Sequence, residues 1–230
     1  MSDQKQERGF LRDNSLSLVF GALFLLTLAL QAWAGWAQEN NDLRQAELDT
    51  VSLLHYLTTA SFGADVLENW QSEYLQFFLF LFGTVWLIQR GSPESKEAGK
   101  EGPESDEDQQ VGAYVEHDTP TWARVGGWRT RVYSRSLGIV MALIFLASWA
   151  GQSIAGWAAY NEEQLRELAT PTSYGGYVLS ADFWSRTLQN WQSELLAVGS
   201  FAVLAIYLRQ RGSSQSKPVG AAHSSTGIEG

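Results

Sequence analysis

Three polar residues occur with the same spacing in both halves of this chain, and they are the best candidates for chemistry. The six positions are Gln31, Asn69 and Glu73, then Gln152, Asn190 and Glu194, each 121 residues after its counterpart. Paired glutamates could share a proton, or carboxylate and amide oxygens could coordinate a cation. The same groups could instead hydrogen-bond between helices and fix their register. A glutamate near a helix N-terminus could also simply complement the helix dipole.

The repeat extends far beyond these six residues. Between residues 15–96 and 136–217, 31 of 82 aligned positions are identical without a gap. The five residues Asn-Trp-Gln-Ser-Glu at 69–73 recur at 190–194. Self-similarity at a fixed period indicates duplicated structural units. We therefore predict two copies of one unit.

Four apolar blocks must position the polar residues: residues 16–34, 74–88, 137–159 and 195–208. Blocks one and three can cross a hydrocarbon core of about 30 Å, and the other two reach that length if their helices begin before Glu73 and Glu194. We predict an all-α polytopic membrane protein with four transmembrane helices in two parallel helical-hairpin repeats. A cleaved signal peptide is the alternative for block one, but its apolar run is long and its repeat partner is internal.

Counting along these helices places the polar residues near one membrane surface. At roughly 1.5 Å per residue, Gln31 lies about 22 Å beyond residue 16, and Glu73 lies about 25 Å before Arg90. The two side chains should therefore share a depth in the outer part of the hydrocarbon. Acidic groups there are costly and suggest a functional site.

Basic residues predict the orientation. Of the 16 Lys and Arg residues, 13 lie before helix one, between helices two and three, or after helix four. Lys5 and Arg8 belong to the first of these groups. Cytoplasmic loops carry such an excess of positive charge. Both termini should face the cytoplasm, and residues 38–66 and 161–187 should face outward.

The polar segments complete the predicted organisation. Residues 94–118 hold nine acids against two lysines, which is typical of disorder, with an acidic docking strip as the alternative. The predicted segments are a cytoplasmic N-terminus (1–13), membrane hairpin repeat one (14–92), an acidic disordered cytoplasmic linker (93–120), a basic-aromatic juxtamembrane segment (121–135), membrane hairpin repeat two (136–213) and a disordered C-terminal tail (214–230).

Tryptophans accompany the polar residues at the outer level. Trp36, Trp70, Trp157 and Trp191 should form an aromatic belt at the membrane boundary. A cation-binding aromatic cage is the alternative.

Other chemistry finds little support in the sequence. Cysteine is absent, which excludes disulfides. The three histidines are isolated, and no spacing resembles a metal site or a phosphate-binding loop. We therefore expect no metal, no cofactor, no catalytic residues and no nucleic-acid partner. An enzyme that uses the two glutamates as acid and base is a weaker hypothesis.

The motifs resemble a known family. Gly156-Trp157, the run Tyr160-Asn161-Glu162-Glu163-Gln164 and the element Asn-Trp-Gln-Ser-Glu at 190–194 look like a family of uncharacterised bacterial membrane proteins that carry two such units. The resemblance implies an integral membrane protein and brings no activity with it. The first unit departs from the pattern because residues 39–42 read Glu-Asn-Asn-Asp. If this element is a site, only the second copy is complete.

These observations favour an integral protein of the bacterial inner membrane that is not an enzyme. Its expected role is structural or accessory, through helix packing and a cap on the outer face. The alternative is a small transporter or channel for a solute, an ion or protons that uses the paired glutamates. Expected partners are the lipid bilayer and either a second copy of the chain or another membrane protein.

Reporter fusions test the predicted topology. A reporter that works only outside the cytoplasm should be inactive when fused within residues 91–118 and active within residues 38–66 or 161–187, because the positive charges hold the linker inside. Activity from the linker fusion would contradict the orientation.

Overall fold

The computed structural model describes residues 9–228, so Lys5, Arg8 and the last two residues of the predicted C-terminal tail lie outside it. Within this range the chain is helical and no strand occurs, which confirms the all-α class for the described part. The helices are α1 (Phe10–Asp13), α2 (Ser15–Gln45), α3 (Leu53–Tyr56), α4 (Ala60–Trp86), α5 (Thr121–Arg124), α6 (Gly127–Tyr133), α7 (Ser136–Arg166), α8 (Tyr174–Val178) and α9 (Ala181–Tyr207).

The long helices have matching bounds. Helix α7 begins and ends 121 residues after α2, and α9 begins and ends 121 residues after α4. The chain divides into two compact units, Met1–Gly63 and Ala64–Gly230. The first compact unit therefore contains the long helix α2, and the second compact unit contains its repeat counterpart α7.

Helices α2 and α7 end in the same way. Glu47 and Leu168 adopt left-handed backbone conformations with φ of 58° and 60°. Beyond Leu168, the Ala169 N–H donates back to the Gln164 carbonyl at 2.7 Å. This is the Schellman ending, in which glycine usually occupies the left-handed position.

A short segment, which we call the strap, follows each of these helices: residues 46–59 in the first unit and 167–180 in the second. Hydroxyl side chains start the helices within and after each strap, because they accept a backbone N–H that has no partner inside the helix. Ser52 and Ser173 cap α3 and α8, while Thr59 and Ser180 accept from backbone N–H groups in the first turns of α4 and α9.

Burial follows an unusual pattern. Among the described residues, eight apolar side chains are buried against eleven polar or charged ones. Many large apolar residues are exposed, including Leu16, Leu25 and Leu143 at 72%, 64% and 60%. In the most apolar 18-residue stretch of each long helix, only 6% of α2 and 17% of α7 is buried. The core of this chain is therefore small and largely polar.

Two of the described helices, α2 and α7, are long and apolar enough to cross a membrane. The crossing of α4 and α9, and with it the count of four spans, stays a prediction. The predicted domain boundaries are likewise untested. The predicted linker contains turns and one short 3-10 helix, Gly112–Tyr114, and α5 packs on α6 through the edge-on rings of Trp122 and Trp128.

The left-handed position after α7 predicts a stabilising substitution. Leu168 is 95% exposed, so Leu168→Gly removes the steric cost of the positive φ and loses almost no packing. It should raise the free energy of unfolding by about 0.5–1 kcal/mol, measured as a higher thermal midpoint in detergent. The control is Leu165→Gly, at an exposed position with ordinary helical geometry, which should lower the midpoint. An equal fall of the thermal midpoint in both variants would contradict the conclusion that the positive φ of Leu168 is strained.

Candidate functional site

In the first unit, two side chains of α2 hold the strap. The Trp36 Nε1–H and the Asn40 amide both donate to the Val51 carbonyl, at 2.7 and 3.0 Å. The Val51 N–H donates in return to Asn40 Oδ1 at 2.7 Å. Asn40 is 4% exposed. One buried side chain thus satisfies both backbone groups of a single strap residue.

The second unit repeats this arrangement with its own residues. Trp157 Nε1–H and the Asn161 amide donate to the Thr172 carbonyl at 2.8 and 3.0 Å. The Thr172 N–H donates to Asn161 Oδ1 at 2.8 Å. We call each set of a tryptophan, an asparagine and a strap residue the strap lock.

A tyrosine packs beside each strap lock. Tyr56 and Tyr177 are 4% and 1% exposed, and their hydroxyls lie so close to Gly35 and Gly156 that a Cβ on either glycine would collide with them. Burial, followed by the nearby charge of Asp182, raises the pKa of Tyr177 to about 12. The Tyr177 phenol is therefore neutral at physiological pH. The close approach of the two tyrosine hydroxyls requires glycine at positions 35 and 156.

The strap locks explain the apparent departure of the first unit from the family pattern. Glu39, Asn41 and Asp42 differ from their counterparts, but Asn40 occupies the position of Asn161. The side chain that bonds the strap is therefore present in both copies. The asparagine of the Tyr-Asn-Glu-Glu-Gln run has a structural role here.

Within the second unit, α4 and α9 meet through polar side chains, which we call the α4–α9 contact. Glu68 accepts from Arg186 at 3.1 Å and from the Asn190 amide at 2.7 Å. The Trp191 indole donates to Gln71 Oε1 at 2.7 Å. These partners are 118, 122 and 120 residues apart. A nearly constant difference along both helices means that they run parallel and in register.

Arg186 is the cation of this contact. Besides Glu68, its guanidinium approaches Asp65 at 3.9 Å and Asp182 at 3.8 Å. Burial opposes its charge, but the carboxylates, Glu68 foremost, outweigh burial and raise the pKa of Arg186.

Asp65 responds differently. Burial is the main cause that raises its pKa, against the lowering effect of Arg186 and with a smaller raising effect from Glu68. The folded protein thus holds a proton on Asp65 more tightly than the unfolded chain does. The contribution of Asp65 to stability accordingly falls as the pH rises from its ordinary pKa through the raised one.

The predicted polar residues occupy different environments. Gln31 is exposed on α2 in the first unit, and Gln152 is buried on α7 in the second. Asn69 and Glu73 are exposed, and the Asn69 amide bonds the Asp65 carbonyl of its own helix. Their roles as a site stay a prediction.

Their counterparts on α9 are partly covered. Asn190 belongs to the α4–α9 contact. Glu194 is half-buried, and its charge interacts with that of Glu73.

The predicted belt tryptophans also have specific partners. Trp36 and Trp157 belong to the strap locks, and Trp191 bonds Gln71. Trp70 is 38% exposed. A position at the membrane boundary stays a prediction for all four.

Sequence reasoning missed Glu68, Gln71 and Arg186. Glu68 and Arg186 are not repeated, since their counterparts are Gln189 and Asp65, so a search for shared residues passes over them. The available signal was charge: Arg186 is one of only three basic residues in the predicted outer loops.

A second repeated element lies at the predicted inner end of each repeat copy. Residues 89–96 and 210–217 share the pattern Gln-Arg-Gly-Ser-x-x-Ser-Lys. Ser95 accepts from the Gln89 N–H and Ser216 from the Gln210 N–H, both at 2.9 Å. The same hydroxyl thus closes the same turn twice.

The lysine of the second turn, Lys217, is 1% exposed. Its ammonium donates to the carbonyls of Gly91, Ala222, His223 and Ser225 at 2.6–3.3 Å. Burial, then the charge of Arg209, lowers the pKa of Lys217. The tail is also bonded to the first turn, because Thr226 Oγ1 accepts from the Gly91 N–H at 2.9 Å.

In the part of the chain that the structure describes, no group of three or more His, Asp or Glu side chains is placed so that it could hold a metal ion. What the geometry defines is an all-helical protein with two helices suited to a membrane, two strap locks and a polar contact between parallel helices.

The chain belongs to the family described as Domain of unknown function (DUF6766), whose model matches residues 7–228. This confirms membership of an uncharacterised family, while the bacterial origin stays a prediction. Neither a curated protein nor a solved structure matches the chain.

Replacing the asparagine of either strap lock should destabilise the strap residue that it bonds, in the same way in both copies. Asn161→Ala removes two hydrogen bonds to Thr172 and leaves its N–H unpaired, although the Trp157 indole still donates to its carbonyl. The free energy of unfolding should therefore fall by about 2 kcal/mol. Hydrogen exchange should accelerate at the Thr172 amide. Asn40→Ala should do the same at Val51. The control is Asn41→Ala, since Asn41 is exposed; equal effects at Asn41 would refute the lock.

Proposed function

We propose that this chain is an integral protein of the inner membrane with four membrane helices in two parallel hairpin repeats, and that its role is structural or accessory rather than enzymatic. Both termini face the cytoplasm in this proposal. Its outer face is formed by the two straps, and its interior is held by polar contacts between helices. The expected surroundings are lipid and either a second copy of the chain or another membrane protein.

The observation that carries the proposal is the distribution of burial. A water-soluble domain of this size gains its stability by burying apolar side chains. Here the buried set is mostly polar and the long helices α2 and α7 expose their apolar residues. In lipid, polar side chains are favoured inside and apolar ones outside. A membrane environment accounts for both halves of this pattern.

The α4–α9 contact supports parallel repeats. Asp65 and Arg186 hold equivalent positions in the two copies and approach each other at 3.9 Å. Equivalent residues meet only where a pseudo-two-fold axis passes between them. An axis along the membrane normal relates repeats that have the same orientation.

The straps support an accessory role for the outer face. Leu54 and Leu179 lie on the two straps and are 78% and 84% exposed. In the proposed topology both leucines lie on the outer side, where lipid headgroups or another membrane protein can contact them.

A transport function is the second candidate. It is favoured by the electrostatic interaction between Glu73 and Glu194, since acidic pairs within membranes serve ion and proton pathways. The exposure of Glu73 on α4 supports the structural role instead.

Substitutions of two glutamates on α4, Glu68 and Glu73, should differ in their effect on stability. Glu68→Ala should lower the free energy of unfolding by about 2 kcal/mol, because it removes a charged partner of Arg186 and a hydrogen bond to Asn190. Glu73→Ala should change it by no more than about 0.5 kcal/mol. Thermal or denaturant unfolding in detergent provides the measurement.

The matched transport assay uses the double variant Glu73→Gln with Glu194→Gln, which keeps size and hydrogen bonding and removes both charges. In proteoliposomes the structural role predicts proton and cation fluxes equal to those of the parent. Loss of a flux that the parent shows would establish the transport function and overturn the structural one.

A further inference from the structure

On the helices α4, α7 and α9, four buried polar atoms have no hydrogen-bond partner among the described residues: Gln71 Nε2, Trp149 Nε1, Gln152 Oε1 and Thr187 Oγ1. Gln71 and Thr187 are 0% exposed, and Gln152 is 2% exposed. An unpaired buried polar group destabilises the folded state, because it has given up its hydrogen bonds to water.

The ring of Trp149 packs against α9 beside these atoms. On α9, the rings of Phe183 and Trp191 lie 6.3 and 5.7 Å from the Trp149 ring. Thr187 lies one helical turn from each of them, so it occupies the same face at the level of Trp149. Gln152 is three residues beyond Trp149 on α7, which places it on the adjoining stripe of that helix.

Gln71 brings the third helix, α4, to this cluster. Its Oε1 accepts from the Trp191 indole at 2.7 Å, and an indole N–H can only donate. The amide orientation of Gln71 is therefore fixed, with its two donor hydrogens on Nε2. Close approach of α4 to α7 is marked by Gly151, where an added Cβ would lie 2.8 Å from Leu67 Cδ1.

Two of the four positions in this cluster differ in polarity between the repeat copies. The counterparts of Trp149 and Thr187 are Leu28 and Val66. Two apolar positions in one copy thus correspond to two hydrogen-bonding positions in the other.

We propose that Gln71, Trp149, Gln152 and Thr187 form a binding site for a small uncharged molecule that carries an oxygen acceptor and a donor hydrogen. The site supplies donors from the Gln71 amide and the Trp149 indole, an acceptor at Gln152 Oε1, and a hydroxyl at Thr187 that can do either. No ionisable side chain contributes, so an ion would lack a counter-charge there. Water has this chemistry, and so does a small neutral solute such as urea or glycerol.

This site lies outside the paired glutamates and goes beyond the proposed function. It accounts for the buried donors without requiring membrane transport. A bound molecule of this size would bridge α4, α7 and α9, since buried waters and their analogues typically make about three hydrogen bonds.

The sign of one stability change tests the proposal. Thr187→Val installs the residue of the first copy and keeps the shape of the side chain. If the hydroxyl bonds a bound molecule, the thermal midpoint falls; if the hydroxyl is buried without a partner, removing it raises the midpoint. Thr84→Val is the control, because the Thr84 hydroxyl bonds the Phe80 carbonyl of its own helix at 2.8 Å. A midpoint for Thr187→Val above both parent and control overturns the proposal.

The occupant is identified on the full chain with 15N-labelled tryptophan, where Trp149→Phe assigns the Trp149 indole signal. A magnetisation-transfer peak between water and the Trp149 N–H that is unchanged by added urea or glycerol identifies bound water. A saturable shift of that signal with either solute, reduced by Thr187→Val, identifies a solute site. The Trp191 N–H, bonded to Gln71, is the internal control and should show neither. Absence of both effects at Trp149 overturns the proposal.

Discussion

The position of each strap depends on one asparagine, which supplies to a strap residue the hydrogen bonds that water would otherwise make. A chain that leaves a long helix and turns back exposes backbone groups that need partners. Asn40 and Asn161 supply both a donor and an acceptor to a single residue, and the neighbouring tryptophan adds a second donor. Tyr56 can then pack against Gly35 of α2, and Tyr177 against Gly156 of α7. Without this pairing, the short helices α3 and α8 would have no fixed position.

The repeat made much of the fold predictable. Identical spacing implied equal helices, and α7 and α9 do follow α2 and α4 by 121 residues at both ends. The long apolar runs of residues 16–34 and 137–159 indicated their helices directly. The short helices were harder, since four or five residues between hydroxyl caps carry too few apolar positions to reveal a period.

The candidate site was predictable only where the copies agree. Asn190 was found because it repeats, and it does join the α4–α9 contact. Glu68 and Arg186 were missed because a contact between pseudo-symmetric helices uses different residues from each side. The buried state of Lys217 was equally hidden: its stabilising partners are backbone carbonyls, which every sequence contains and no motif reports.

The Asp65–Arg186 approach bears on how such a protein could arise. In a dimer of identical hairpins, a residue on the two-fold axis faces its own copy, so two aspartates or two arginines would repel each other there. Joining the hairpins in one chain removes that restriction, because each side of the axis can change alone. The opposite charges at positions 65 and 186 are an interaction that two identical copies could not make. Duplication followed by fusion thus opened an asymmetric interface to selection.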